Sequence, residues 1–180
     1  MTATEPGEPV PTSEQAPREE HVDVIEVASA VLVRNFELLR RRGGIYGDLD
    51  RAEYLLLRTL DRIGPSDICT LARALGLDPS TAGRQVSALQ GKGMVERAPG
   101  ETDRRRNIIS PTAAGRARMA AVRDRRRETT RELLADWSEE DVRTLGDMFT
   151  RYNRSVAERY LTEQATGAEA LLQHGDSGTS

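Results

Sequence analysis

The 180-residue chain carries 26 Lys/Arg against 29 Asp/Glu, a formal net charge of −3, and has one cysteine, two phenylalanines and one tryptophan. Such a length suits one domain plus tails, and the shortage of large aromatic residues means an aliphatic core. A lone Cys69 excludes an intramolecular disulfide framework, and with only His21 and His174 beside it an ordinary Cys/His zinc site within one chain is excluded too. No apolar run approaches the length of a membrane span, and the acidic, proline-rich start does not read as a signal peptide, so the expected location is cytoplasmic.

The charge is unevenly placed. From Arg84 to Arg127 there are twelve Lys/Arg against four Asp/Glu, whereas Met1 to Glu20 holds five Glu against one Arg. An acidic tail therefore masks a basic middle, and the distribution matters more than the sum. Residues 1–19 have four of the eight prolines and much Glu, Thr and Ser, a composition that buries too little apolar surface to order itself. A main domain is expected over 20–161, followed by a flexible tail over 162–180 that is rich in small and polar residues.

The first predicted helix covers 21–42. Val24, Ala28, Val31, Phe36 and Leu39 join Ile25, Val27, Leu32 and Leu38 in an apolar band too wide for one packing neighbour. Gly43-Gly44 stops it. Asp50 and Glu53 resemble a capping box opening a second helix, with Leu56, Leu60 and Ile63 on its inner stripe. Gly64-Pro65 ends that helix. Ser66 or Asp67 caps a short one, Ile68 to Leu75, in which Leu71, Ala72 and Leu75 face inward and Cys69 is expected as a small buried residue. Gly76-Leu77 makes a tight turn. Asp78 and Pro79 then signal another helix start, and Ala82, Val86 and Leu89 share one face of it. Ser80, Thr81, Arg84 and Gln85 share the opposite face, and Gly93 ends the helix.

Two short apolar runs follow, Met94-Val95 and Ile108-Ile109, separated by Pro99-Gly100 and the charged run Asp103-Arg104-Arg105-Arg106. That pattern reads as a hairpin with a cationic tip. A long arginine-rich helix is expected to start at Pro111. Ser138 is expected to cap a last helix whose Leu145, Met148 or Phe149, Tyr152, Val156 and Tyr160 recur at three or four, a stripe suited to pairing with the first helix. No Ser/His/Asp set, catalytic carboxylate pair or phosphate-binding glycine loop is present, so no enzyme activity and no cofactor are expected.

A helix with a small polar outer face, followed by an arginine-tipped hairpin, suits double-stranded DNA: the helix for the major groove, the arginines for phosphate or the narrow minor groove. At these residues the chain resembles the MarR (multiple-antibiotic-resistance regulator) family of winged helix-turn-helix transcription factors. The matching elements are Ser80-Thr81 opening the recognition helix, the exit Leu89-x-x-Lys92-Gly93-Met94-Val95-x-Arg97, the Asp103-Arg104-Arg105 wing, and Thr112-x-x-Gly115 opening the next helix. Gly83 departs from the pattern, since the family more often has a β-branched or polar residue there.

The resemblance implies a mainly α fold, with a winged helix-turn-helix at about 50–110 and dimerisation helices at about 21–42 and 111–161. It implies a homodimer on an inverted-repeat operator, acting as a repressor released by a small aromatic or phenolic effector. Ser80, Thr81, Arg84 and Gln85 would face the major groove, and Arg104, Arg105 and Arg106 the minor groove or phosphates, with Asp103 shaping the wing by an ion pair. The effector pocket would draw on Arg40, Ile45, Tyr46 and Tyr54. Two alternatives stand beside this: a winged helix used only for protein contacts, and redox control through Cys69. A metal-responsive repressor is disfavoured by the shortage of Cys and His.

Overall fold

Helix α1 (Gln15–Gly43) starts six residues ahead of the expected His21 in the computed structural model, which describes residues 15–47, 49–100 and 106–160. Pro17 is tolerated because amides in a first helical turn have no partner within the helix. The chain divides at Gly44 into two units, and α1 is the first. Its Val24, Ile25, Val27, Val31 and Phe36 are all exposed, so the wide apolar band foreseen in the sequence is a surface here.

The second unit begins with the connector from Ile45 and is built around α2 (Arg51–Ile63). Its capping box is complete: Asp50 Oδ1 accepts from the Glu53 amide at 2.8 Å, and Glu53 Oε2 accepts from the Asp50 amide at 2.9 Å. Leu56, Leu57 and Leu60 are fully buried, and Thr59 joins them by donating its hydroxyl to the Leu55 carbonyl. Helix α3 (Ile68–Leu75) is capped by Asp67 rather than Ser66. Ser66 instead exchanges two backbone hydrogen bonds with Ile109. Gly76, at φ 65°, turns the chain, and the Leu77 amide reaches back to the Ala72 carbonyl at 2.9 Å. Helix α4 (Pro79–Gly91) then buries Ala82, Val86 and Leu89, the face the sequence assigned.

Gly93, at φ 68°, closes α4, and the chain pairs β1 (Val95–Pro99) with β2 (Asn107–Pro111) as an antiparallel hairpin. The strands are longer than the apolar runs alone suggested. Arg97 sits opposite Ile109, and Pro99 opposite Asn107 near the tip, where a missing amide costs little. Pro111 belongs to β2, not to the next helix. The cap of α5 (Ala113–Leu133) is Thr112, whose hydroxyl oxygen accepts from the Gly115 amide and donates to the Gly93 carbonyl. Ser138 receives the Asp141 amide at 3.1 Å and starts α6 (Glu139–Tyr160), in which Met148, Phe149, Tyr152, Val156 and Tyr160 are exposed.

One core unites α2, α3, α4, the hairpin and α5: the three leucines of α2, Leu71, Val86, Leu89, Val95, Ile109, Met119 and Val122. Each fully buried side chain of this kind contributes about 1.5–3 kcal/mol. The packing is tightest where α5 begins. A Cβ on Gly115 would lie 2.0 Å from the Met94 carbonyl oxygen, a backbone atom that cannot swing aside. Gly115→Ala should therefore destabilise the fold by at least about 1–3 kcal/mol, the cost of overpacking. Urea unfolding followed by circular dichroism measures this, and a wild-type midpoint would contradict the close approach.

Candidate nucleic-acid interface

The first turn of α4 is a closed network around one carboxylate. Asp78 accepts from the Ser80 hydroxyl at 2.5 Å, the Thr81 amide at 2.9 Å and the Thr81 hydroxyl at 2.6 Å. These bonds, led by that from the Ser80 hydroxyl, hold the Asp78 carboxyl far below the usual carboxylate range. Arg84 Nη2 donates to the Thr81 hydroxyl oxygen at 3.0 Å. The structure thus brings Ser80, Thr81 and Arg84 together. Ser80 and Arg84 are exposed, and Thr81 and Gln85 are half-buried. Both hydroxyl protons are engaged by Asp78, so a phosphate, itself only an acceptor, would have to draw them away. Arg84 keeps donors in hand, because a guanidinium has five.

Gly83 lies on the side of α4 toward α3. A Cβ there would meet Ile68 Cδ1 at 3.9 Å, an ordinary contact. The departure from the family pattern therefore falls on a packed flank of the helix and not on its outward face.

The wing is tied to the helices at three places. Ser66 and Ile109 form the backbone bridge already described. Arg97 Nη2 donates to Ser87 Oγ of α4 at 3.0 Å, while its Nε is buried with no hydrogen-bond partner among the described residues. Arg106 Nη2 lies 2.5 Å from Asp67 Oδ2 at the head of α3. Asp103, Arg104 and Arg105 lie outside the described residues. The role of Arg97 was missed, although strand alternation places it on the inner face with Val95.

At the far end of α4, Lys92 Nζ lies 2.6 and 2.7 Å from the two oxygens of Glu53, a side chain with 6% exposure. This long-range ion pair has no local sequence signal beyond the residue types.

The residues expected to hold an effector are differently placed. Arg40 is exposed and pairs with Glu37 on its own helix at 3.0 Å. Ile45 and Tyr54 are buried, and Tyr46 is half-buried. Tyr46 and Tyr54 meet edge to face at 6.0 Å between ring centres. The guanidinium of Arg126 sits 5.1 and 5.4 Å from the two rings and donates to the Tyr46 hydroxyl. Arg126 was not foreseen, yet it continues the inner stripe Gly115, Met119, Val122 of α5 at helical spacing. Cys69 is exposed, against expectation. Two positions turn a helix by about 200°, so the inward side chain of Leu71 leaves Cys69 facing out. It lines an open groove of about 240 Å³ with Asp67, Ile68, Arg106 and Asn107.

A short helix, a glycine turn, a second helix with a polar outer face and a hairpin fastened beside it define a winged helix-turn-helix. The sequence profile of the MarR family matches residues 49–106. The chain is 31% identical over 134 residues to the HTH-type transcriptional regulator YxaD of Bacillus subtilis, covering 74% of this chain and 94% of that protein. Among solved structures it resembles the transcriptional regulator SlyA with a TM-score of 0.63 at 20% identity, covering 76% of this chain and 96% of that one. It also resembles a MarR variant from E. coli complexed with operator DNA, with a TM-score of 0.59 at 20% identity over 72% and 95% of the two chains. The chain belongs to the MarR family of transcriptional regulators, which are DNA-binding proteins and not enzymes.

Because position 83 has room, Gly83→Ala should stabilise the protein by about 1 kcal/mol through helix propensity alone. A thermal melt reads this as a higher Tm, and a lower Tm would show that α3 and α4 cannot accept the methyl group.

Proposed function

We propose that the chain is a homodimeric repressor that binds an inverted-repeat operator and is released by a small molecule. The observation that carries the DNA reading is the outward face of α4, with exposed Ser80 and Arg84, set beside a hairpin fastened to the same helix through Arg97 and Ser87. In this reading Arg84 and Gln85 address base edges, since arginine grips guanine and glutamine grips adenine with paired hydrogen bonds. Ser80 and Thr81 position the helix on phosphate. Arg104 and Arg105, shaped by Asp103 as the family resemblance implies, reach the minor groove or its phosphates. Arg106 belongs to the same wing.

The homodimer reading rests on exposed apolar side chains. Val24, Ile25, Val27 and Phe36 on α1, and Met148, Phe149 and Tyr152 on α6, face solvent in the single chain. Runs of that kind mark surfaces that a partner covers. A two-fold dimer would set its recognition helices about 34–36 Å apart, one DNA turn. Support for the effector reading is the Tyr46–Tyr54–Arg126 cluster near Ile45. A ligand there would act by favouring a spacing of recognition helices that misfits DNA.

The test is equilibrium binding to duplexes selected from a random library by the purified protein, at several salt concentrations. Specific binding should fall by roughly 10³-fold or more between 50 and 200 mM salt, because phosphate contacts release counterions. Arg84→Ala should relax the preferred sequence and weaken binding by about 1–3 kcal/mol with helical content unchanged. No selected sequence, or one bound equally well by Arg84→Ala, would remove the reading. Sedimentation equilibrium of the free protein should give twice the chain mass of 19.9 kDa, and a monomer at micromolar concentration would remove the dimer.

A further inference from the structure

Arg106 has been counted with the wing arginines, but its guanidinium is already engaged. It lies 2.5 Å from Asp67 Oδ2, across the seam between β2 and the head of α3. The other oxygen of Asp67 accepts from the Thr70 amide at 2.8 Å, as the cap of α3. One carboxylate therefore serves two masters: Oδ1 holds the helix and Oδ2 holds the wing. The Thr70 amide above all, with a smaller contribution from the Arg106 charge, keeps the Asp67 carboxyl below its ordinary range, so it stays anionic at neutral pH.

The position of this pair gives it a mechanical role. The Ser66–Ile109 bridge fixes the hairpin at one point of β2. Arg106 lies three residues nearer the tip, about 10 Å along an extended strand. Arg97, which holds Ser87, is paired with Ile109 and so lies at the level of that bridge; a hairpin held at one level can rock, whereas a second hold nearer the tip sets its angle. Arg106 also closes the hairpin, since its carbonyl accepts from the Gly100 amide at 2.8 Å. A phosphate that captured the guanidinium would leave the Asp67 carboxylate unpaired beside a polyanion, an unfavourable exchange.

We propose that Arg106 is a positioning residue: through Asp67 it sets the angle at which the wing leaves the helix-turn-helix, and it does not itself grip DNA. This rests on the reading that the wing meets DNA.

The experiment compares wild type, Asp67→Asn, Arg106→Gln and the double variant on the duplex selected by the wild-type protein. Asparagine caps a helix as well as aspartate, so Asp67→Asn keeps α3 and removes only the charge. Each single variant should bind about two- to fivefold more weakly, the range of a partly exposed ion pair, and the double variant no more weakly than the worse single. Hydrogen exchange at the Gly100 amide should speed up in all three while amides of α4 keep their protection. If Arg106 grips phosphate instead, Asp67→Asn frees it and removes a repelling charge, so binding becomes tighter while Arg106→Gln weakens it. That opposite sign, additive losses, or no change in either single variant would each overturn the proposal. Failure of the wild-type protein to bind any duplex would instead overturn the DNA reading, and Gly100 exchange would still report whether the pair fixes the wing.

Discussion

A carboxylate that is almost out of reach of water must have a partner, and the placement of the recognition helix follows from how Glu53 finds one. Removing a carboxylate from water costs several kcal/mol unless charge and hydrogen bonds compensate it. Glu53 is 4% exposed and receives the Asp50 amide from its own helix start and the Lys92 ammonium from the end of α4. The first turn of α2 is thereby locked to the last turn of the helix that carries Arg84. Lys92 stands at a helix C-terminus, where positive charge is favoured in any case. The apolar stripe of α2 brings the helices together, and this pair fixes their register.

The same division of labour runs through the wing. Burial of Val95 and Ile109 draws the hairpin onto the body. Its direction is then set by polar contacts at its margins, Arg97 to Ser87 and Arg106 to Asp67, with the Ser66–Ile109 bridge between sheet and helices. Apolar contact is without direction, so the angle of the hairpin needs these specific bonds. At the start of α5 the constraint is steric: Gly115 allows the helix to begin against the Met94 carbonyl, and Thr112 satisfies the Gly93 carbonyl left exposed by the end of α4.

Much of this was legible from local rules. The capping box at Asp50, the turn at Gly76, the inner face Ala82-Val86-Leu89 and the left-handed Gly93 are short-range features, and each is present. Two boundaries moved for local reasons: proline suits a first turn, so α1 starts at Gln15, and strand pairing holds Pro111, so α5 starts after Thr112. Of the two caps open for α3, Ser66 or Asp67, it is Asp67 that serves. Cys69 was misread because apolar neighbours were taken as a sign of burial, when the turn of the helix carries it outward. The site was legible as a set of residue types and not as a set of contacts. That Arg126 lies beside both Tyr46 and Tyr54, and that Arg106 is held by Asp67, depend on which groups meet across the fold, whereas Asp78 engages Ser80 and Thr81 only two and three residues away. Period-two and helical spacing could have marked Arg97 and Arg126 as inward, and each has a partner there, Ser87 and Tyr46.

The near-absence of lysine gives the Glu53 contact a chemical consequence. Lys92 is the single lysine among 26 basic side chains, so amine-directed reagents find one ε-amine in the chain besides the terminal amine. That ε-amine is the counter-ion of a buried carboxylate. Acylation would replace its charge with a neutral amide and take from Glu53 the cation that both its oxygens hold. A dye coupled through ordinary amine chemistry would report on a protein whose recognition helix it had already unlatched.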